Sequence, residues 1–345
     1  MGFFVFPRFV ILPSMNSPKV QADDYIDFLI ACPKQATAVE AARCQPESGS
    51  PRAHDAFSRL LQRLEPDPET LWTEIQAEVV RDDGYLVLDD TVLDKPFAFA
   101  MDLVHYVWSG RHNRVVKGID LITLLWTDGD RHLPCDYRLY DKPFDGHTKN
   151  DHFRALLQTA RQRGFRPRYV LFDSWYTTLD NLKLLRSFGW HWLTQLARNR
   201  RVNWERTGLQ PVEQAPIAPE GTIVHLEGFG LVKVFLIVTK DGDRQYWATD
   251  DLSMTELERL THADASWRIE EYHRGLKQLT NVDRCQARLE RAQRNHIGLA
   301  LRAFIRLEIH CFHTGINWLE AKLEILRGAV RAYLNRPKYR LQPTA

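Results

Sequence analysis

Two short apolar runs, residues 85–88 and 169–172, are each closed by an aspartate, Asp89 and Asp173, and a glutamate, Glu270, follows on a stretch of helical pattern. Runs of four apolar residues bounded by turn signals read as buried strands. An ionised carboxylate at the end of such a strand is costly unless it is paired or bound to metal. One strand-end aspartate is common; two followed by a helix glutamate are the parts of an oxygen-ligand site for a hard cation such as magnesium. Two such ions can clamp both oxygens of a phosphoryl displacement. Asp90 and Glu271 stand beside the first and third acids as competitors. Strand alternation and the Asp-x-Thr pattern favour Asp89. Glu270, Arg274 and Lys277 lie at i, i+4 and i+7 and so share one helix face, which favours Glu270.

The elements around these acids are ordered. After 85–88 come a long run at 115–126, the turn Thr127-Asp128-Gly129-Asp130, and a third run at 133–140. That turn predicts a hairpin. A helix is expected from about 150 to 163, ended by Gly164, then the strand 169–172, a helix at 179–187 and a strand at 190–196. The expected fold class is α/β, a ribonuclease-H-like core in which the first and fourth strands lie side by side. Their C-terminal ends would then bring Asp89 and Asp173 within metal-bridging distance. Three further runs, 222–226, 230–238 and 245–249, predict a β-rich insertion, because a structureless loop of that length is uncommon. After Glu270 the pattern is helical, with 287–312 apolar on one side and an irregular tail from residue 337. The expected division is 1–80 helical, 81–197 first part of the core, 198–262 the insertion, 263–315 completion of the core with the glutamate helix, and 316–345 a helical tail.

Charge is near neutral in total, +2, but unevenly spread. Residues 1–88 carry 8 Lys/Arg against 13 Asp/Glu, and residues 265–345 carry 15 against 7. Carboxylates to hold metal followed by a basic third to hold phosphate suit an enzyme that cuts a polyanion; a solvated basic helix face is the competing reading. Arg284, Arg288 and Arg291 form a basic strip, and Arg198, Arg200 and Arg201 a basic turn at the entrance to the insertion. Near the N-terminus, Phe57, Leu60, Leu61 and Leu64 follow a helical period, with Arg52, His54, Arg59 and Arg63 on the remaining surface. With the breaker cluster 46–51 this resembles a helix-turn-helix reader; an ordinary helical hairpin is the alternative. His147 and His152 are five apart, which is not a zinc spacing on a helix, and they read as a helix cap. Five scattered cysteines without a C-x-x-C pair argue against a disulfide framework or zinc knuckle. The apolar start, residues 1–13, is too short to span a bilayer, and Met15 is an alternative start. Neither a phosphate-binding glycine loop nor a hydrolase nucleophile elbow occurs.

Asp89-Asp90-Thr91, Asp173-Ser174-Trp175-Tyr176 and Trp267-x-Ile269-Glu270 continuing to Lys277 resemble the DDE transposases of the insertion-sequence-four superfamily, over residues 85–310. That family's signature is tyrosine, two residues, arginine, three residues, glutamate, six residues, lysine. Glu270 and Lys277 fit; Ala263 and Ser266 stand where the tyrosine and arginine belong. The resemblance implies a bacterial, cytoplasmic, nucleoid-associated enzyme that cuts and joins double-stranded DNA as a homodimer. It implies two Mg²⁺ ions, with Mn²⁺ substituting, held by Asp89, Asp173 and Glu270. Lys277, Arg274 and Arg268 would hold the scissile strand. A domesticated, non-catalytic DNA-binding protein and a nuclease of the same fold that only hydrolyses remain open alternatives.

Overall fold

The computed structural model describes residues 18–337, apart from Gln35, residues 47–50 and Arg111. Four helices come first: α1 (Ala22–Ala31), α2 (Ala38–Arg43), α3 (His54–Arg63) and α4 (Pro68–Ile75). Then follow β1 (Tyr85–Asp94), β2 (His105–Ser109), β3 (Arg114–Thr127), β4 (His132–Tyr140), α5 (Lys142–Asp145), α6 (Lys149–Gln162), β5 (Tyr169–Phe172), α7 (Leu179–Phe188) and β6 (Trp192–Leu196). Five more strands are β7 (Arg201–Asn203), β8 (Leu209–Pro211), β9 (Thr222–Leu226), β10 (Gly230–Val238) and β11 (Arg244–Thr249). Three long helices close the described chain: α8 (Glu256–Thr280), α9 (Glu290–Thr314) and α10 (Trp318–Asn335).

All eleven strands join one sheet in the order β2-β3-β1-β5-β6-β11-β10-β9-β7-β8, with β4 also paired to β3. β1, β5 and β6 are mutually parallel, and β3 runs antiparallel to β1 along its whole length. Parallel strands need both faces covered; residues 85–88 of β1 and 170–172 of β5 are buried for that reason. The first and fourth expected strands are therefore neighbours, as β1 and β5. The β-rich segment after β6 is a continuation of the same sheet through the β6–β11 pair.

Several expectations need correcting. Asp89 does not end its strand: the run continues to Asp94, because β3 pairs with it from Tyr85 through Asp94 and holds the polar Asp89-Asp90-Thr91 segment extended. The register needs a glycine at 118, where a Cβ would sit 2.4 Å from Val92 Cγ1 and 2.9 Å from the Leu93 carbonyl oxygen. β2 was not expected at all. Glu270 does not open its helix either; α8 starts at Glu256 behind a capping box of Thr255 and Glu258. The expected division at residues 262–263 thus falls inside a helix. The histidines at 147 and 152 do not cap α6; Thr148 and Asp151 do so reciprocally.

The core is continuous from the sheet to the N-terminal helices. Phe57, Leu60 and Leu61 of α3, which carry the expected periodicity, are buried in it together with Tyr25 of α1 and Phe304 of α9. Polar contacts fix the same packing. Asn295 on α9 donates to the Leu61 and Leu64 carbonyls, both at 2.7 Å, which satisfies the C-terminal end of α3. Lys322 on α10 donates to the carbonyls of Ile30, Cys32 and Leu279, tying the ends of α1 and α8 together. Of the basic residues around α3, Arg52 pairs with Asp24, Arg59 with Asp55, and Arg63 donates to the Val20 carbonyl. The breaker residues 47–50, the apolar start with Met15, and all but the first residue of the irregular tail lie outside the described residues.

Candidate active site

Register places the first two acids. Leu88 on β1 is opposite Phe172 on parallel β5, so the residues that follow, Asp89 and Asp173, leave the pair abreast. Helix α8 packs across β1 and β5 and brings Glu270 to the same place. Asp89, Asp173 and Glu270 line one cavity of about 1130 Å³, together with Asp90, Thr91, Lys149, Arg274 and Lys277. Lys277 Nζ donates to Thr91 Oγ1 at 2.7 Å, which ties α8 to β1 two residues from Asp89. Close approach of α8 to the following helices depends on Gly275, where a Cβ would stand 2.8 Å from Trp318 and 3.0 Å from Phe304.

Electrostatics separates the adjacent acids. Burial, and then the neighbouring Asp90, Glu270 and Asp173 carboxylates, push the Asp89 carboxyl well above the usual carboxylate range. Asp90 by contrast is neutralised inside the protein: Lys149 Nζ lies 2.7 Å from it and the Tyr176 hydroxyl donates to it at 2.7 Å. The same ammonium lies 2.5 Å from the fully buried Asp120, whose carboxyl is pushed up to about 7 by burial and by Asp90. Burial opposes the charge on Lys149, yet Asp120 and Asp90 together raise its pKa above the usual lysine value. On α8, Glu271 points away from the cavity, 2.8 Å from Arg268 and 3.3 Å from His132. Glu270 is exposed toward the cavity, as is Asp173, whose carboxylate accepts from the Ser174 N–H.

The expected basic residues divide. Lys277 and Arg274 line the cavity; Arg268, Arg198, Arg200, Arg201, Arg288 and Arg291 do not. Arg268 is drawn to Glu271 and Asp264 on the other side of α8. Arg198 pairs with Asp243, Arg201 lies 3.8 Å from Glu227, and Arg291 is 2.6 Å from Glu65. Arg200 is half-buried in the turn before β7, and burial lowers the pKa of its guanidinium. Arg288 is exposed in the turn before α9. Two arginines of the basic turn, Arg198 and Arg201, and Arg291 of the basic strip thus meet carboxylates of their own chain. Two cations without a place in any sequence motif, Lys34 and Lys149, line the cavity, and so does Arg284. Arg284 was in the basic strip; Lys34 and Lys149 carry no sequence signal beyond their charge. Ser266, at the signature's arginine position, donates to the Ala263 carbonyl at 2.6 Å, so neither residue supplies a cation.

The donor set is all oxygen and the crowded Asp89 carboxyl gains from a nearby cation, which fits a hard divalent ion. Among the described residues, no three His, Cys, Asp or Glu side chains already stand close enough to form a metal cluster. The carboxylates share a cavity without being drawn together.

Residues 16–219 match the family described as DDE superfamily endonuclease, and residues 144–319 match the archaeal transposase family ISC1217. No curated protein matches the chain. Among solved structures, a piggyBac transposase determined by cryo-EM in a synaptic complex with hairpin DNA superposes with a TM-score of 0.51 at 11% identity. The match covers 92% of this chain and 73% of that one. At that identity the likeness speaks for the fold, which is the ribonuclease-H-like arrangement of the DDE enzymes.

Proposed function

Since the chain belongs to the DDE superfamily of endonucleases, we propose that it is a transposase of the insertion-sequence-four type. In this reading it cuts double-stranded DNA at transposon ends and joins the freed ends to target DNA. One observation carries the reading: carboxylates from β1, β5 and α8, distant in sequence, line one cavity with Lys277 and Arg274 beside them. Asp89, Asp173 and Glu270 are the residues that would hold Mg²⁺, with Mn²⁺ substituting. When bound, the divalent ions supply Lewis acidity that makes water a competent nucleophile and offsets charge on the leaving 3′ oxygen.

The chain's own residues do the rest. Lys149 and Tyr176 hold Asp90 back, so that Asp89 is the carboxylate of β1 left for the cation. Lys277 fixes α8 on β1, and with Arg274, Arg284 and Lys34 it holds the phosphates without reading sequence. Water adds to the phosphorus of the scissile bond and the 3′ oxygen leaves, giving a 3′ hydroxyl and a 5′ phosphate. That hydroxyl then attacks a target phosphodiester and expels a new 3′ oxygen. A homodimer on two paired ends, in the bacterial cytoplasm at the nucleoid, completes the proposal. Among the described residues no helix is long and apolar enough to cross a membrane.

A strand-transfer assay on linear DNA ends with Mg²⁺ tests this reading. Joined products are expected. Nicking without joining would replace it with a hydrolytic nuclease of the same fold, and binding without cleavage with a non-catalytic DNA-binding protein.

A further inference from the structure

The hairpin of β2 and β3 leaves its apolar side in solvent. Tyr106 and Trp108 of β2 are cross-strand partners of Lys117 and Val115 of β3, so the four share one face. Tyr106 is 74% exposed, Trp108 60% and Val115 56%. The intervening Val107 and Ser109 are the buried ones. Phe99, 90% exposed, joins the same surface: Lys117 Nζ lies 5.3 Å from its ring centre and 5.6 Å from that of Tyr106. A contiguous exposed aromatic surface on a folded chain marks a binding site more often than a solvated face.

Charge and position choose the occupant. Residues 103–119 contain Arg111, Arg114 and Lys117 and not one Asp or Glu. The carboxylate bonded to the turn, Asp94, is engaged by His112 at 3.0 Å. Aromatic faces interleaved with cations recognise unpaired nucleic-acid bases, whose π-faces are open while their phosphates need positive charge. A second copy of the chain meeting this face by two-fold symmetry would oppose like charges, Arg114 and Lys117, with no exposed carboxylate of the hairpin to offset them, since Asp120 of β3 is buried. The surface is also continuous with the acid cavity, because Trp108, Ser109 and Gly110 line its wall.

We propose that the β2–β3 hairpin is a stacking platform for unpaired DNA bases leading out of the cavity, with Tyr106 and Trp108 as its principal contacts. The proposal rests on the transposase reading and adds a preference for DNA that is locally single-stranded beside the scissile bond. The test is fluorescence anisotropy with the full chain on a blunt duplex and on the same duplex with a single-stranded tail of about ten nucleotides. Wild type should bind the tailed DNA about tenfold more tightly than the blunt one. Tyr106→Ala and Trp108→Ala should each remove most of that preference, and Tyr106→Ala, at a position that does not line the cavity, should leave blunt-duplex binding unchanged, while Trp108→Phe keeps the preference. A wild type that binds and cuts DNA but shows no tail preference, or alanine variants that match it, would overturn the platform alone. Variants that change only the sedimentation behaviour of the protein would also overturn it, and would make the face a protein interface. A wild type that neither binds nor cuts either DNA would bring down the transposase reading, and this inference with it.

Discussion

Asp89 and Asp90 are neighbours in sequence with opposite surroundings, and the difference is measurable. Asp90 has Lys149 and the Tyr176 hydroxyl; Asp89 has burial and three other carboxylates. Replacing Asp89 by Asn removes repulsion that only a cation would otherwise relieve. We expect Asp89→Asn to stabilise the protein by about 1 kcal/mol in EDTA while abolishing cleavage. A thermal melt without divalent ions checks the first half, and an unchanged or lowered midpoint would count against the crowding. Lys149 is the converse case, since its removal strands two carboxylates, one of them fully buried. Lys149→Met should cost about 3 kcal/mol in urea unfolding. The sequence could propose Asp89 and Glu270 over their neighbours from alternation and helix spacing. It could not show why, because three of the partners that occupy Asp90 and Glu271, namely Lys149, Tyr176 and His132, come from other places in the chain, and Arg268 alone is local to Glu271.

Elements were legible where packing and pattern agree. The strands 169–172, 222–226 and 230–238 have the expected bounds because each is an apolar run between turn residues. β2 escaped because its exposed alternate positions are aromatic, so it has no polar face to mark a period of two. The first half of α8 escaped because Leu257 and Leu260 are exposed and the apolar period is weak there. α9 depends on a device that no local pattern reveals, the buried His296, which bonds Tyr25 of α1 at 3.0 Å and the Asn281 carbonyl at 3.2 Å. The carbonyl requires the Nε2 proton, leaving Nδ1 to accept from the tyrosine hydroxyl, so the ring is neutral. Burial lowers its pKa to about 3. Between that value and an unfolded value of about 6.5, the unfolded chain binds the extra proton. This contribution is therefore intact above pH 6.5 and is lost as pH falls toward 3. At pH 5 it should have cost about 2 kcal/mol relative to neutral pH. Urea unfolding of wild type and His296→Gln at pH 7 and 5 reads this directly; the variant should lose about 2 kcal/mol less over that interval.

At the scale of the whole molecule, the uneven charge predicts a polyanion partner, but much of the basic surface it counts is engaged within the chain. Arg198, Arg201, Arg268 and Arg291 are taken up by carboxylates of the chain, whereas Lys277 and Arg274 face the cavity. Lys277→Ala should therefore weaken DNA binding at low salt and flatten the dependence of log affinity on log salt by about one unit; equal affinity across the titration would remove Lys277 from the phosphate contacts. The central claim is that three carboxylates from separate elements act as one site, and the most direct measurement of it is single-turnover cleavage of transposon-end DNA by wild type and Asp173→Ala. With Mg²⁺, wild type should cut and join, and EDTA should stop both. Asp173→Ala should bind the same DNA with unchanged affinity and give neither product. Cleavage by Asp173→Ala at the wild-type rate would contradict the account.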